Sequence, residues 1–414
     1  MLSPARSRAA LFALALGGFC IGTTEFATMG MLPEIATDLG APIPTAGHAI
    51  TAYALGVVVG APTIAVLGAR IDRRRLLLLL MSAFVVGNVL SAFAPSMGWL
   101  VGFRFLAGLP HGIFFGVGAV VGVAVVGIER RGRAVAAMMA GLTIACAVGV
   151  PLTSVVGDTV GWRWSFIGVG VLGLLTLAAL WAWTPSLPVA EGTTVRTEVS
   201  ALRNQRLWIA FGAGAIGFGG MFAVYSYVKP LLTEVTGLSV GLVPVVLALY
   251  GIGMTIGTVV GGRLADRSVL GTVIGAMVAT IVVLVVIALV GSYPVPAVLA
   301  LVMLGVTSQV LGLSLQTRLM DVSPAAPSLG AALCHSALNL GNAAGAFAGG
   351  LVIAGGMGYL APAWVGAGLT AMGLVVVLAA GRGAPPSFVG TPDAAPTTEL
   401  DDSVRDLTPE LSSR

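Results

Sequence analysis

Twelve long apolar segments constrain the fold of this 414-residue chain more than any other feature. A helix needs about 20 mostly apolar residues to cross a bilayer, and the segments lack the alternation of barrel strands. We therefore predict an all-α membrane protein with twelve transmembrane helices. The predicted spans 1 to 12 cover residues 9–31, 46–68, 76–94, 98–124, 134–157, 164–184, 208–228, 240–262, 269–291, 295–317, 329–353 and 360–380.

The composition excludes the soluble classes of protein. Hydrophobic residues make up 57% of the chain and charged residues 9%, with a mean hydropathy of +1.00, whereas a soluble domain is about 25% charged. So few polar residues cannot cover a water-facing surface. A soluble enzyme, a nucleic-acid binder and a secreted domain are excluded. Cys20, Cys146 and Cys334 lie within apolar segments, which favours packing over disulfides or metal ligands.

The distribution of lysine and arginine predicts the orientation in the membrane. Eighteen of the 21 residues fall at the N-terminus, in every second loop or in the C-terminal tail, all except Arg104, Arg163 and Lys229. Because positive loops stay in the cytoplasm, we expect both termini there and an even number of spans. Span 1 is too long for a signal peptide and contains Glu25, so we expect it to be retained.

A repeated loop sequence predicts two related halves. Gly-x-x-x-Asp-Arg follows span 2 and again span 8, 194 residues later. We therefore expect two pseudo-symmetric six-helix bundles, at 1–184 and 207–382, a cytoplasmic linker at 185–206 and a disordered cytoplasmic tail at 383–414. We expect charge pairs in the repeats to latch the cytoplasmic side. The residues of the two copies are Gly68, Asp72 and Arg73, and Gly262, Asp266 and Arg267.

Further motifs give the chain a family resemblance. Span 4 carries Arg104-Phe-Leu-Ala-Gly, span 5 carries a Gly/Pro-rich sequence from Gly149 to Gly157, and span 1 carries Gly-Thr-Thr-Glu25-Phe. With the repeated loops, these resemble the major facilitator superfamily, in its twelve-span drug:proton antiporter branch with sugar-efflux and chloramphenicol-export proteins. Two positions depart from that pattern, since Arg75 and Thr153 stand where glycine is common.

The resemblance implies a multi-pass carrier in the bacterial inner membrane. We expect a small-molecule substrate, protons and the lipid bilayer as its partners, and a monomer. We predict no cofactor, no metal, no catalytic residues and no nucleic-acid partner.

Three ionisable residues within the spans are candidates for proton coupling. A carboxylate inside a membrane is costly unless it faces a partner or a polar cavity, so Glu25 is predicted to load and release a proton. Arg104 is predicted at a similar depth as its ion-pair partner. His111 follows two turns deeper on the same helical face. The alternatives are a permanent structural pair, an Arg104 that snorkels to the headgroups, and a neutral hydrogen-bonded His111.

Other residues are predicted to line the substrate cavity or to control its opening. We expect Gly149, Pro151 and Gly157 to bend span 5 and form the contact between the halves, the alternative being ordinary close packing. Asp158 is predicted to form a surface pair with Arg163. The residues predicted to line the cavity are Met29, Phe115, Phe218, Phe222, Tyr225, Gln309 and Asn339. The alternatives for these residues are lipid contact or hydrogen bonds between helices.

The leading functional hypothesis is a proton-coupled antiporter that exports small lipophilic compounds, drug-like or sugar-like, by alternating access. One alternative is an importer or uniporter of a small nutrient on the same fold. The other is an intramembrane enzyme, which is disfavoured because the sequence has no His-Glu-x-x-His pair, no Cys–His set and three histidines in all. No phosphate-binding Gly-x-x-x-x-Gly-Lys-Ser/Thr loop is present, which argues against direct use of ATP.

Overall fold

Twelve long helices form the protein in the computed structural model, which describes residues 3–68, 70–127, 131–187, 203–323 and 327–381. No strand occurs in these ranges. The all-α prediction and the number of spans are confirmed. The membrane-spanning helices α1 to α12 are Pro4–Gly30, Ile43–Ala65, Arg73–Ala92, Met97–Val126, Ala137–Thr159, Trp162–Trp183, Gln205–Tyr225, Val240–Arg267, Val269–Val290, Pro294–Asp321, Ala332–Ala354 and Ala361–Ala380.

Hydrogen bonds between chain segments distinguish the two faces of the helix array. At the face that carries the start of α1, here the proximal face, Ser7 donates to the backbone oxygen of Val125 at the end of α4. At the opposite, distal face, Thr236 after α7 donates to the backbone oxygen of Gly291 after α9. Lys229 after α7 also donates to Glu34 after α1. Helices α1, α7 and α9 therefore end at the distal face and α4 ends at the proximal face, as in a chain of helices that alternate in direction.

The helices pack as two six-helix bundles, α1–α6 and α7–α12. The bundles meet along two seams, where α2 packs on α11 and α5 packs on α8. At the second seam, a Cβ on Gly251 of α8 would collide with backbone atoms of Cys146 and Ala147 in α5. Only a residue without a side chain permits so close an approach. The outside of the array presents large apolar side chains to the bilayer, such as Leu289 and Val295.

Three helices depart from the regular geometry that the sequence analysis assumed. Helix α4 is interrupted at Leu109 and Pro110, so Arg104 and His111 do not share one continuous helical face. Helix α5 contains a π-helical turn, Ala145–Gly149, directly before Pro151. Proline has no N–H to donate, and π-turns recur at functional sites. Helix α8 continues through Arg267, so the second copy of the repeat is helical and only the first forms a loop.

The predicted boundaries of the linker and the tail remain predictions. Most of the linker, 188–202, and all of the tail, 383–414, lie outside the described residues. The side chains of Arg131 and Arg133, which the orientation argument counts, are outside the described part as well.

Candidate functional site

Glu25 lies where the two bundles meet, five residues before the distal end of α1. Its side chain belongs to α1 and is buried. The side chain of Asn339, on α11 of the other bundle, lies within hydrogen-bonding reach of its carboxyl group. Tyr53, Cys146 and Tyr250 are also close enough to interact electrostatically with Glu25. An ionisable group is therefore enclosed by polar side chains from both bundles.

Arg104 holds together three helices of the first bundle. It is fully buried and donates to the Oγ1 of Thr24 at 3.0 Å and to the backbone oxygen of Thr24 at 2.9 Å. The same hydroxyl donates to Asn88 of α3. The guanidinium carbon lies 4.3 Å from the ring centroid of Tyr53 and 5.2 Å from that of Phe166, distances at which a cation and a ring attract each other.

The predicted ion pair between Glu25 and Arg104 is therefore wrong. Among the described residues, Arg104 forms no ion pair. Its two terminal nitrogens donate to Thr24, the residue that precedes Glu25, and its Nε has no hydrogen-bond partner. The positive charge of Arg104 still acts on Glu25 through space. Snorkelling to the headgroups is also excluded by the complete burial of Arg104.

His111 belongs to an aromatic group that crosses the bundle interface. Its Nδ1 lies 3.1 Å from the hydroxyl of Tyr53, which also stacks beneath Arg104. Its ring centroid lies 5.7 Å from that of His335 on α11. Phe115 stacks on His335 at 4.7 Å. Tyr53 thus joins Arg104 to His111 across the interruption in α4.

A second aromatic group extends the interface beyond Glu25. Phe26 of α1 lies 6.0 Å from Phe222 and 5.6 Å from Tyr225, measured between ring centroids, and Tyr225 lies 4.2 Å from Tyr250 of α8. Phe218 completes the group beside Phe222. These side chains are buried, so lipid contact does not explain Phe218, Phe222 and Tyr225 of α7.

Several buried polar atoms in this region have no hydrogen-bond partner. The hydroxyls of Tyr225 and Tyr250, the Oδ1 of Asn339, and both side-chain polar atoms of Asn342 are examples. Buried polar atoms are normally paired, so these atoms are available to water or to a bound solute. The region can hold a small molecule by aromatic contact and by hydrogen bonds.

Two predicted cavity residues lie in apolar or peripheral positions. Met29 is fully buried in the apolar core. Gln309 is half-buried and packs against Gly257 of α8, in the contact between α8 and α10. It does not join the residues around Glu25.

Gly149 and Gly157 of α5 do not form the contact between the halves that was predicted for them. Gly149 packs against Thr23, and Gly157 packs against Met31, both within the first bundle. The π-turn before Pro151 instead presents Cys146 to Gly251 across the seam. The partner of this turn is Gly251, a glycine of α8 that the sequence motif did not include, and the predicted bend of α5 stays a prediction.

The two repeat copies hold their aspartates differently. Asp72 caps α3 by accepting from the backbone N–H of Arg75 at 3.0 Å, and it accepts from Ser186 at 2.9 Å. Partial burial acts to raise the pKa of Asp72, but these hydrogen bonds outweigh it and lower the pKa. Within the described chain neither Asp72 nor Asp266 forms an ion pair. The predicted charge-pair latch is therefore absent, and Asp72 ties the loop to the end of α6.

Replacing Asp72 by alanine should lower the thermal stability of the purified protein, whereas Asp266→Ala should not. Loss of an N-cap costs about 1 kcal/mol, and the bond to Ser186 is lost as well. Asp266→Ala is the matched control, because it makes the same change in the second repeat copy, where the aspartate does not cap a helix. Apparent melting temperatures in detergent measure both effects, and equal melting temperatures for the two variants would contradict this assignment.

Ion pairs at the distal face also differ from the prediction. Arg163 pairs with Asp38 rather than with Asp158, and its hydrogen bond holds the pKa of Asp38 below the usual range. Asp158 pairs instead with Lys229, which also binds Glu34 at 2.7 Å. The sequence signal for Lys229 was present, since it is one of three cations outside the predicted cytoplasmic set.

No sequence pattern identified other buried residues around the site, such as Tyr53, Tyr250 and Asn88. A single tyrosine or asparagine within an apolar segment has no spacing pattern that marks it as part of a site. Their roles follow from contacts between helices that are distant in sequence.

Two six-helix bundles with a buried polar centre between them define a membrane transporter rather than an enzyme. A sequence model of the Major Facilitator Superfamily matches residues 14–333. The chain therefore belongs to this superfamily, as the sequence motifs predicted.

Individual relatives and one solved structure agree with this assignment. The chain is 40% identical to the inner membrane transport protein YdhP of Escherichia coli K12, over 91% of this chain and 96% of the relative. It is 33% identical to a chloramphenicol resistance protein of Streptomyces lividans, over 88% and 94% of the two chains. A crystal structure of a mutant of the nucleoside transporter NupG has the same fold, with a TM-score of 0.70, 14% identity, and coverage of 90% of this chain and 99% of that one.

Proposed function

We propose that this transporter is a proton-coupled antiporter that exports small lipophilic compounds, drug-like or sugar-like, from the cytoplasm. The observation that carries the proposal is Glu25, a buried carboxyl group in the first bundle with Asn339 of the second bundle beside it. A carboxyl group at the interface can exchange its proton with either side as the bundles rock. The relative in Streptomyces lividans supports export of drug-like compounds.

The surroundings of Glu25 support its use in both protonation states. The amide of Asn339 can donate to a carboxylate or accept from a carboxylic acid. The nearby charge of Arg104 favours the ionised form, while burial favours the neutral form. His111 is proposed as a second proton carrier, because Tyr53 places it beside Arg104.

Substrate is proposed to bind between the bundles next to this carboxyl group. The aromatic side chains of Phe26, Phe218 and Phe222 supply apolar contact. The unpaired groups of Tyr225 and Asn339 supply hydrogen bonds that orient the solute. Phe115, stacked on His335, extends the apolar wall.

Alternating access is proposed to move residues 1–184 against residues 207–382. The seam between Gly251 and the π-turn of α5 allows this motion, because Gly251 has no side chain that could interlock with the partner helix. Protons supply the energy, since one charge that crosses 100 mV releases about 2.3 kcal/mol.

The proximal face is proposed to be cytoplasmic. Arginines of the first and second repeat copies lie at this face, and positive charge is retained inside. Both termini then lie in the cytoplasm, and the distal face opens to the outside.

Everted membrane vesicles from cells that express the protein test the function and the orientation together. With an acidic interior, the vesicles should accumulate at least one compound of a panel that includes chloramphenicol, and release protons as they do. Ala41 lies in the distal connection between α1 and α2 and is partly exposed. A cysteine at this position should be shielded in these vesicles from an impermeant thiol reagent, which reacts with it in intact cells. Accumulation that needs no proton gradient, or proton movement in the same direction as the solute, would contradict an antiporter.

A further inference from the structure

Three charged side chains meet at the distal face and join the two bundles. Lys229 lies in the short helix Val228–Pro230 after α7, in the second bundle. Its Nζ donates to Glu34 at 2.7 Å and to Asp158, which both belong to the first bundle. The side chain of Lys229 is only 2% exposed. One buried ammonium group is therefore shared by two carboxylates across the interface.

The composition of this cluster leaves one negative charge uncompensated when both acids are ionised. The Oε1 of Glu34 accepts from Lys229, but its Oε2 is buried and has no hydrogen-bond partner. Burying an unpaired carboxylate oxygen is costly, and a proton on Glu34 lowers that cost because it neutralises the group. Burial raises the pKa of Glu34, although the hydrogen bond from Lys229 opposes the rise.

Other ionisable groups of the distal face are engaged elsewhere. Asp38, on the same short helix as Glu34, pairs with Arg163 at the start of α6. Glu234 interacts with Tyr359. The charged groups that act on Glu34 are Lys229 and Asp158. Its protonation is therefore linked to the contact between the bundles.

We propose that Glu34, Asp158 and Lys229 form a proton-binding lock that holds the distal side of the two bundles closed. When the bundles separate at this face, Lys229 moves away from both carboxylates and all three groups enter water. Glu34 then returns to its ordinary acidity and releases the proton. The lock relies on the proposed rocking of the bundles but not on Glu25 as the coupling carboxylate.

The difference in the pKa of Glu34 between the closed and the open state determines the direction of the pH effect. The closed state has the higher pKa at Glu34, so it binds the proton more tightly than the open state does. As the pH falls through this raised pKa towards the ordinary value of a glutamate, about 4.3, the closed state gains stability. At pH values well above the raised pKa, both states are ionised and the equilibrium no longer depends on this group.

Distance measurements by pulsed electron paramagnetic resonance test the lock without a substrate. Spin labels are attached to cysteines at Ser96 and Ser292, exposed distal positions on the first and second bundle, in the full-length protein in lipid nanodiscs. The native cysteines, all buried, are first replaced by alanine. We expect the short-distance population to grow as the pH is lowered stepwise from above neutral towards the ordinary pKa of a glutamate, about 4.3.

Variants separate the parts of the lock. Lys229→Met should lose the short-distance population at high pH, because two carboxylates then face each other without a cation. Glu34→Gln should keep the short distance and lose most of the pH dependence. Asp38→Asn, which removes an acid that pairs within the first bundle, should behave as the parent. If Lys229→Met does not fold, the neutral triple variant Lys229→Met, Glu34→Gln, Asp158→Asn replaces it and should lose the pH dependence.

The outcomes distinguish this proposal from the proposed function. A pH response that persists in Glu25→Gln but disappears in Glu34→Gln supports the lock, whatever Glu25 does in transport. A response that disappears in Glu25→Gln and persists in Glu34→Gln overturns the lock and assigns the proton to Glu25. An unchanged distance distribution in Lys229→Met, or distances in the parent protein that do not vary with pH, also overturns it.

Discussion

Replacing Glu25 by glutamine should abolish uphill transport while leaving exchange of substrate across the membrane largely intact. Glutamine keeps the size and hydrogen-bonding reach of the side chain, including towards Asn339, but it cannot carry an exchangeable proton. At 100 mV, one exchanged proton can sustain a solute gradient of about 50-fold. In the variant this ratio should fall to about 1. Accumulation and counterflow in proteoliposomes, with a compound identified in the vesicle panel, measure the two activities separately.

The structure indicates that Glu25→Gln should not disturb the fold. Arg104 is held by Thr24 and by the rings of Tyr53 and Phe166 rather than by Glu25, so the variant should fold and express normally. Glu234→Gln is the matched control, the same change at an exposed glutamate, and should accumulate substrate as the parent does. A Glu25→Gln protein that still concentrates substrate with normal dependence on the proton gradient would remove Glu25 from the mechanism.

Replacing Arg104 by glutamine should lower both stability and transport. Two hydrogen bonds to Thr24 and two cation–π contacts are lost, and hydrogen bonds that involve a charged group contribute about 1.5–3 kcal/mol each. Glu25 also loses the nearest positive charge, which favours its neutral form. We expect a lower apparent melting temperature in detergent and a loss of coupled transport at neutral pH.

Two further variants test this account of Arg104. Arg104→Lys keeps the charge but not the planar fork that reaches both atoms of Thr24, so it should recover transport more than stability. In the double variant Glu25→Gln, Arg104→Gln, stability should remain low, because the two residues do not form an ion pair. Restored stability in the double variant would show that the pair exists and that the contacts of Arg104 with Thr24 are secondary.

The spans could be predicted from the sequence because the bilayer imposes its requirement on each helix separately. Every segment must be about 20 residues long and mostly apolar, whatever its neighbours are. The predicted spans accordingly agree with the twelve helices, and the family motifs agree with the comparisons. Irregularities such as the π-turn Ala145–Gly149 were not predicted, because hydropathy does not show where the hydrogen bonding of a helix changes. This turn contacts Gly251 of a helix about 100 residues away.

The candidate site was only partly predictable. Charge inside a span identified Glu25 and Arg104, since such residues are rare in a membrane. The prediction that Glu25 and Arg104 form an ion pair, which was based on their equal depth in the membrane, was wrong. Equal depth does not determine which donor contacts which acceptor. Asp158 was assigned to Arg163 by proximity in sequence, whereas the folded chain places it against Lys229, 71 residues further on.

The sequence by itself determined that this protein is a twelve-helix membrane transporter with two related halves, since hydropathy, charge and repeated motifs are properties of each segment. Only the tertiary structure decided the partners of the buried charges. It placed Arg104 on Thr24, Asn339 beside Glu25, and one lysine between two carboxylates. The physical reason is that a polar group in an apolar surrounding needs a partner at hydrogen-bonding distance, and which group is at that distance depends on how distant helices pack.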